Sequence, residues 1–485
     1  MFSGHSRAQF RPTAPRIDRL AIAAMGVALV VYRLTLAPDL TWANAASDGG
    51  ELITASVTLG VAHPPGYPTY LLLGKLFSFL PLGTVAFRYN LFSAVCAAIA
   101  TGLLAAAIQE FWRPRVRPIT SFAAALAFAF LPLVWGQAVV AEVYSLNLLL
   151  VAAFLLAWSQ RRAATAGLLL GLALTTHLTS ALLLPAALLG GERPRRLVAG
   201  LVVGLAPLLL LPWLASGDSP VVWGRPDTPA GWLWLVSGRL YGANLQFPPT
   251  SDRLAALLRA LAFGAATVAG SAVTPTGAAL RRLNHVGTGT RAALLAGTAV
   301  LYALFATAYA TPDAAVLLLP GLLLLALLLA PALERLGLAA LFLPLALIVA
   351  GHSGQIRAHR AGPRLAAEAL LSAAPANALL LAPGDRTIFT LWYFQHVESL
   401  RPDLRLADAS LFAFDWYRER LAALNPDVRV PAADDLAALQ RLNETRRPFC
   451  TISLIDSPRP LPATGNTSHP GAPPTPMMNC TEERY

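Results

Sequence analysis

Long apolar runs, each of about 20 residues and parted by short arginine clusters, constrain this chain more than any other feature. The clusters are Arg7/Arg11/Arg16/Arg19, Arg113/Arg115/Arg117, Arg161/Arg162, Arg193/Arg195/Arg196 and Arg281/Arg282. A hydrocarbon core is crossed by about 20 consecutive apolar residues, and cytoplasmic loops carry the excess of arginine. Charged residues make up only 13% of the chain, where a soluble protein has about 25%. The pattern therefore predicts an α-helical polytopic membrane protein. The net charge of +11 sits between the spans, so it reports orientation and excludes a nucleic-acid partner. The first run is preceded by arginines and followed by no small-residue cleavage site, so it reads as a span and not a cleavable signal.

Taken in order, Ile17–Leu36 is the first span, leaving a cytoplasmic N-terminal segment, 1–16. A first outer loop, 38–86, follows, with Tyr70–Leu82 too short and interrupted to cross and so lying in the interface. Phe87–Phe111 returns, and Ile119–Trp135 with Val140–Trp158 forms a hairpin whose tip lies outside. Ala163–Leu189 is long enough for one tilted span. Arginines on both flanks and the interruption Thr175-Thr-His177 favour two short helices instead. Leu197–Leu214 then leads to an external, tryptophan-rich stretch, Ala215–Pro249. Leu254–Val273, Ala292–Ala310, Ala314–Ala330 and Leu336–Ala350 complete about eleven membrane helices.

The membrane domain thus spans 17–351, and beyond it the composition becomes that of a soluble domain. Ala378–Ala382 and Phe449–Leu454 read as buried strands, with helices near Asp415–Leu424 and Ala433–Leu442. A small extracytoplasmic α/β domain is expected over 352–457, with a flexible tail over 458–485. Cys450 and Cys480 can pair if that region faces an oxidising space, whereas Cys96 lies in an apolar helix as packing.

The first outer loop is built unlike its surroundings. Asp48 would sit at the N-terminal mouth of a helix over Glu51–Gly60, with Glu51 one turn in, where the helix dipole favours ionised carboxylates. Gly49 and Gly50 permit a close backbone approach, and His63-Pro-Pro-Gly-Tyr67-Pro68 forces a rigid return. Nearly every notable polar residue maps to the outer side: Asp48, Glu51, His63, Glu142, Asn147, His177, Arg239, Tyr241 and Asp313. Polar groups near a bilayer are costly, and convergence on one cavity gives them a reason.

These stretches resemble a known family. Thr35-Leu-Ala-Pro38, Trp42, Asp48-x-x-Glu51, Leu59-Gly-Val-Ala-His63-Pro-Pro-Gly-Tyr-Pro68 and Phe87-Arg88-Tyr-Asn90-Leu-x-Ser-Ala94 belong to its pattern. So do Gln137 to Asn147, through Glu142 and Tyr144, and Gly171-Leu-Ala-Leu-Thr-Thr-His177. The family is that of the plexin-type protein O-mannosyltransferases, and composition points to a bacterial member in the inner membrane. The resemblance implies a GT-C architecture and transfer of a sugar, mannose by analogy, from a polyprenyl-phosphate donor to Ser/Thr hydroxyls of exported proteins. Two rival readings keep the chemistry or replace it: an envelope-glycan or lipid acceptor, and a lipid-sugar flippase.

Transfer from a lipid phosphate needs one general base, since the leaving phosphate is already a stable anion. Asp48 is the expected base, with inversion at the anomeric carbon, and Glu51 either binds acceptor, pairs with an arginine or caps the helix. Arg88, His177 and Arg239 are candidates for the phosphate. Each has an alternative: an interfacial anchor for Arg88, a packed core histidine for His177, a solvated loop charge for Arg239. His63 and Tyr67 touch sugar hydroxyls or hold their own loop. Glu142, Tyr144, Asn147, Asn90 and Tyr241 face the same cavity, Asn147 chiefly as packing. Asp313 reads as a helix cap. Trp223, Trp232 and Trp234 form an interfacial belt. No cofactor is expected, and a divalent cation on the acidic pair is disfavoured for want of further acids.

Overall fold

A computed structural model describes residues 18–246, 251, 255, 287–358, 362–455 and 475–481. The expected span Leu254–Val273, the cytoplasmic segment 1–16 and most of the tail lie outside the described residues.

Helix α1 (Arg19–Leu34) begins at Asp18, whose carboxylate accepts the Ala21 N–H at 2.8 Å. Its buried face is Ala21, Ala24, Ala28 and Tyr32, while Ile22, Val30 and Leu34 point outward. Small residues on one face let α1 lie close against α4 (Val85–Phe111). Between them the outer loop holds α2 (Gly49–Val57) and α3 (Pro68–Ser78). The expected hairpin is α5 (Pro118–Ala129), α6 (Pro132–Ala138) and α7 (Tyr144–Ser159), with α5 and α6 bent by 74° where Pro132 breaks the run.

The interruption at Thr175–His177 does divide its segment. Helix α8 (Ala163–Leu174) ends there, and a 3-10 turn, Leu178–Leu183, leads into α9 (Leu184–Leu189). Asn147 holds the break, donating to the Ala173 carbonyl at 3.1 Å and to Ser180 Oγ at 2.7 Å. Helix α10 (Pro194–Gly204) packs on α8 through Gly167/Gly171 and Gly200/Gly204. A Cβ at any of the four would fall within 2.4 Å of a backbone carbonyl oxygen on the facing helix. Two such small-residue stripes bring helix axes together without interdigitating side chains.

Helix α11 (Leu211–Ala215) ends that span, α12 (Pro229–Val236) lies in the tryptophan-rich stretch, and α13 (Thr288–Ala308), α14 (Leu319–Leu333) and α15 (Phe342–Ala358) follow. Among the described residues four helical stretches are long and apolar enough to cross a membrane alone, five if the bent α5–α6 pair is one span. The remaining apolar helices, such as α7 and α8, are shorter and broken by proline or polar residues. Arg117 pairs with Glu334 and Arg161 with Glu192, gathering arginine-bearing loops on shared ends of the bundle.

The C-terminal domain is a four-stranded sheet in the order β2-β1-β3-β4. Strand β1 (Leu379–Ala382) pairs in parallel with β2 (Arg405–Asp408) and β3 (Phe449–Ile455). Helices α16 (Pro363–Ala373), α17 (Asp385–Trp392), α18 (Asp415–Leu424) and α19 (Leu436–Asn443) complete it. The segment expected as a flexible tail contributes β4 (Thr475–Cys480), antiparallel to β3. A Cys450–Cys480 disulfide and a register placing these two residues opposite each other hold it there. Neither cysteine's pairing nor an edge strand shows as an apolar run, which is why the tail's composition misleads.

Candidate active site

Helix α2 opens the site. Asp48 occupies its N-cap position, yet its side chain makes no capping bond; it is about a third exposed, into a cavity of about 680 Å³. Ser47 Oγ donates to Asp48 Oδ1 at 3.2 Å. One turn on, Glu51 is fully buried. Its Oε1 accepts the His63 backbone N–H at 2.9 Å, and its Oε2 accepts the His63 Nδ1–H at 2.5 Å. So Glu51 neither caps nor meets an arginine; it fixes and charges His63.

The proline-rich return explains why the imidazole can be so placed. Gly66 (φ 90°) and Tyr67 (φ 46°) are both left-handed, which folds the Tyr67 ring back over His63 at 4.9 Å. Nε2 of His63 then lies 3.0 Å from the Tyr67 hydroxyl and 3.8 Å from Asp48 Oδ2. Val61 exchanges backbone hydrogen bonds with Val221 and Trp223, which seats Trp223 beside His63 at 6.0 Å.

The electrostatics follow from burial and proximity. Burial alone would lower His63, but Glu51, through charge and hydrogen bond, and Asp48 raise it to about 9. His63 is therefore an imidazolium at neutral pH. Burial pushes the Asp48 carboxyl above its usual range, opposed by the His63 charge and reinforced by Glu51 and Asp313. The result is a carboxylate made more basic by desolvation and kept ionisable by a fixed cation.

Several expected residues do line this cavity: Asp48, His63, Tyr67, Tyr144, His177, Tyr241 and Asp313. His177 Nδ1 accepts the Thr179 N–H at 3.3 Å, so in the neutral ring Nε2 carries the proton. Asp313 sits at the N-cap position of the 3-10 turn Ala314–Leu318 without a side-chain capping bond, and its carboxyl faces the cavity. Its expected capping role is therefore not the one it plays.

Others lie elsewhere. Arg88 donates to the carbonyls of Leu82, Ser78 and Gly83 and anchors the end of α3. Asn90 ties the Ala37 and Asp39 carbonyls, and Asn147 holds the α8 break. Arg239 lines a second groove of about 570 Å³ with Arg225, Trp234 and Trp416. Glu142 is buried behind the cavity wall, where burial and the charges of Asp48 and Asp313 push its carboxyl well up. Of the three expected phosphate ligands, His177 alone reaches the cavity.

Sequence reasoning missed two wall residues from the C-terminal domain, Asp385 and Phe389. A usable signal existed: Gly384-Asp385 directly after a buried strand marks a βα turn, where α/β sheets place ligand-facing groups. It also missed Trp223 as cavity wall; Trp232 instead donates to the Leu208 carbonyl, and Trp234 packs on Phe414 and Trp416. Gly50 shows what the glycine pair is for. A Cβ there would fall 2.3 Å from the Phe389 carbonyl oxygen, so α2 and α17 meet backbone to backbone.

Residues 48–190 match the protein O-mannosyl-transferase TMEM260 N-terminal domain, and residues 364–427 match TMEM260-associated domain 2. Mouse protein O-mannosyl-transferase TMEM260 is 40% identical over 134 residues, 27% of this chain and 18% of that protein. The Dictyostelium discoideum protein of the same name is 33% identical over 137 residues, 27% of this chain and 16% of its own length. The aligned part is thus under a fifth of either relative. Among solved structures, ArnT from Cupriavidus metallidurans bound to undecaprenyl phosphate superposes with a TM-score of 0.57 at 15% identity, over 89% of this chain and 92% of that one. Its apo form gives 0.59 at 14% identity over the same shares. The fold is that of the GT-C membrane glycosyltransferases, and the chain is an integral membrane protein.

Proposed function

We propose that this chain is a protein O-mannosyl-transferase of the TMEM260 kind, on the strength of the matches over residues 48–190 and 364–427, and that it transfers mannose from a polyprenyl-phosphate carrier to Ser/Thr hydroxyls of exported proteins. The observation that carries this reading is the Asp48 carboxylate, facing a cavity at a helix mouth beside a charged His63 held by Glu51.

Each group then has a task. Asp48 takes the proton from the acceptor hydroxyl as its oxygen attacks the anomeric carbon. The bond to the phosphate oxygen breaks on the opposite face, giving inversion and a free lipid phosphate. Glu51 keeps His63 charged and oriented, so Asp48 stays ionised in a partly desolvated site. His177, at the membrane-helix side of the cavity, offers its Nε2–H to the phosphate, and the Tyr144 and Tyr241 hydroxyls add donors. ArnT's complex with undecaprenyl phosphate supports a lipid-phosphate donor. The chemistry proposed here routes no step through a metal ion or cofactor. The N-terminus is placed in the cytoplasm and the C-terminal domain outside, which accords with its disulfide.

The test is transfer in detergent by the purified full chain, with polyprenyl-phosphate mannose and a Ser/Thr peptide. A general base contributes about 10²- to 10⁴-fold, so Asp48→Asn should lose turnover on that scale. Wild-type turnover in Asp48→Asn would remove Asp48 as the base. An intact donor after incubation with wild type would favour a lipid-sugar flippase.

A further inference from the structure

Building on that reading, we propose that the C-terminal domain supplies an acceptor-binding carboxylate, Asp385, that holds the acceptor peptide beside Asp48. The argument begins with topology. In a parallel α/β sheet, ligands sit outside the carboxyl ends of the strands, near a switch in strand order. Here β1 is flanked by β2 and β3, both parallel to it, and the chain leaves its carboxyl end through Gly384 (φ 73°) directly into Asp385. That end of the sheet is open at Pro383 and Asp385, and Asp385 lines the cavity of Asp48. The same end faces the membrane domain, because α17 is pressed against α2 at Gly50 and Trp42 Nε1 donates to Thr390 Oγ1 at 3.0 Å. The crevice where an α/β domain presents ligand groups therefore opens into the cavity of Asp48.

The cavity wall then comes from two domains, and its acids sort between them. Asp313 comes from the membrane domain, at the N-cap of the turn that leads into α14. Asp385 comes from the C-terminal domain, as the first residue of α17, and Asp48 and His63 line the same cavity. In an in-line displacement the acceptor hydroxyl and the leaving phosphate flank the anomeric carbon on opposite faces. A lipid phosphate can enter only from the membrane side. The acceptor therefore comes from the side of Asp385. A carboxylate there repels phosphate and accepts hydrogen bonds from the backbone N–H groups or hydroxyls of a peptide.

Both reactions of the full chain should be followed in detergent: mannose transfer to a Ser/Thr peptide, and slow release of free mannose to water. Asp385→Asn should raise the peptide KM by roughly tenfold, the loss of a charge-assisted hydrogen bond. Donor KM should change by less than about twofold, and the ratio of peptide transfer to mannose release at low peptide should fall by roughly tenfold. Asp385→Glu should recover most of the peptide affinity. An unchanged peptide KM in Asp385→Asn, or peptide and donor KM rising together, would overturn the assignment. Donor that wild type leaves intact would sink the glycosyltransferase reading and this one with it, an outcome distinct from the first two.

Discussion

Gly50→Ala tests whether the C-terminal domain and α2 act as one body. The substitution adds a single methyl group to α2, two residues from Asp48. Nothing in the local backbone resists it, since Gly50 is helical and outside the left-handed region, and alanine is the better helix former by about 1 kcal/mol. The obstacle is Phe389. The new Cβ would stand 2.3 Å from its carbonyl oxygen and 2.7 Å from its carbonyl carbon, both rigid backbone atoms, where real contacts do not fall below 3.0 Å. Relief needs a separation of α2 from α17 by at least about 0.7 Å (3.0 − 2.3). Overpacking of this kind costs about 1–3 kcal/mol. A misplacement of about 1 Å at a reacting centre costs about 10²-fold in rate. Gly49→Ala is the milder comparison, because its Cβ would meet the Ala141 carbonyl oxygen at 3.2 Å, a tight contact relieved by a few tenths of an ångström. In the transfer assay, Gly50→Ala should fall about 100-fold in kcat and Gly49→Ala by about threefold or less. Thermal unfolding should show the wider loss for Gly50→Ala. If both variants turn over alike with unchanged unfolding temperatures, the two helices do not meet as described.

The His63–Glu51 pair predicts a specific pH dependence. His63 is raised from its ordinary 6.5 to about 9, so its contribution to stability is complete below pH 6.5 and is lost as pH rises through 9. The unfolding temperature of wild type should therefore drop between pH 7 and 9.5, and Glu51→Gln should flatten that drop while lowering the plateau; parallel profiles would contradict the charged pair. Orientation is checked by a reporter fused after His352. It should read as extracytoplasmic, and a cytoplasmic signal would invert every assignment of side.

What could be read from the sequence was whatever short-range chemistry dictates. The Ile17–Leu36 run, the break at Thr175–His177 and the stiff His63–Pro68 return each depend on residues within a few positions, and the fold contains α1, the α8–α9 division and the left-handed Gly66–Tyr67 step. Partners distant in the chain were out of reach. Arg88 looked like a phosphate ligand because arginine at an interface binds anions, but three carbonyls at the end of α3 already accept its donors. Glu51 offered three roles and plays a fourth, because its partner lies across a loop whose return angle is set by two positive φ values. Asp385 belongs to a segment whose apolar pattern shows only a small soluble domain. Nothing in that pattern says which end of its sheet meets the membrane helices.

The contact between Trp42 and Thr390 joins positions 348 residues apart. At a synthesis rate of about 5–20 residues per second, the Asp48 loop emerges roughly 17–70 s before the helix that walls it in. A growing chain thus holds an unfinished pocket for the whole of that interval. Any ligand diffusing past it meets no closed chamber until α17 has docked against α2.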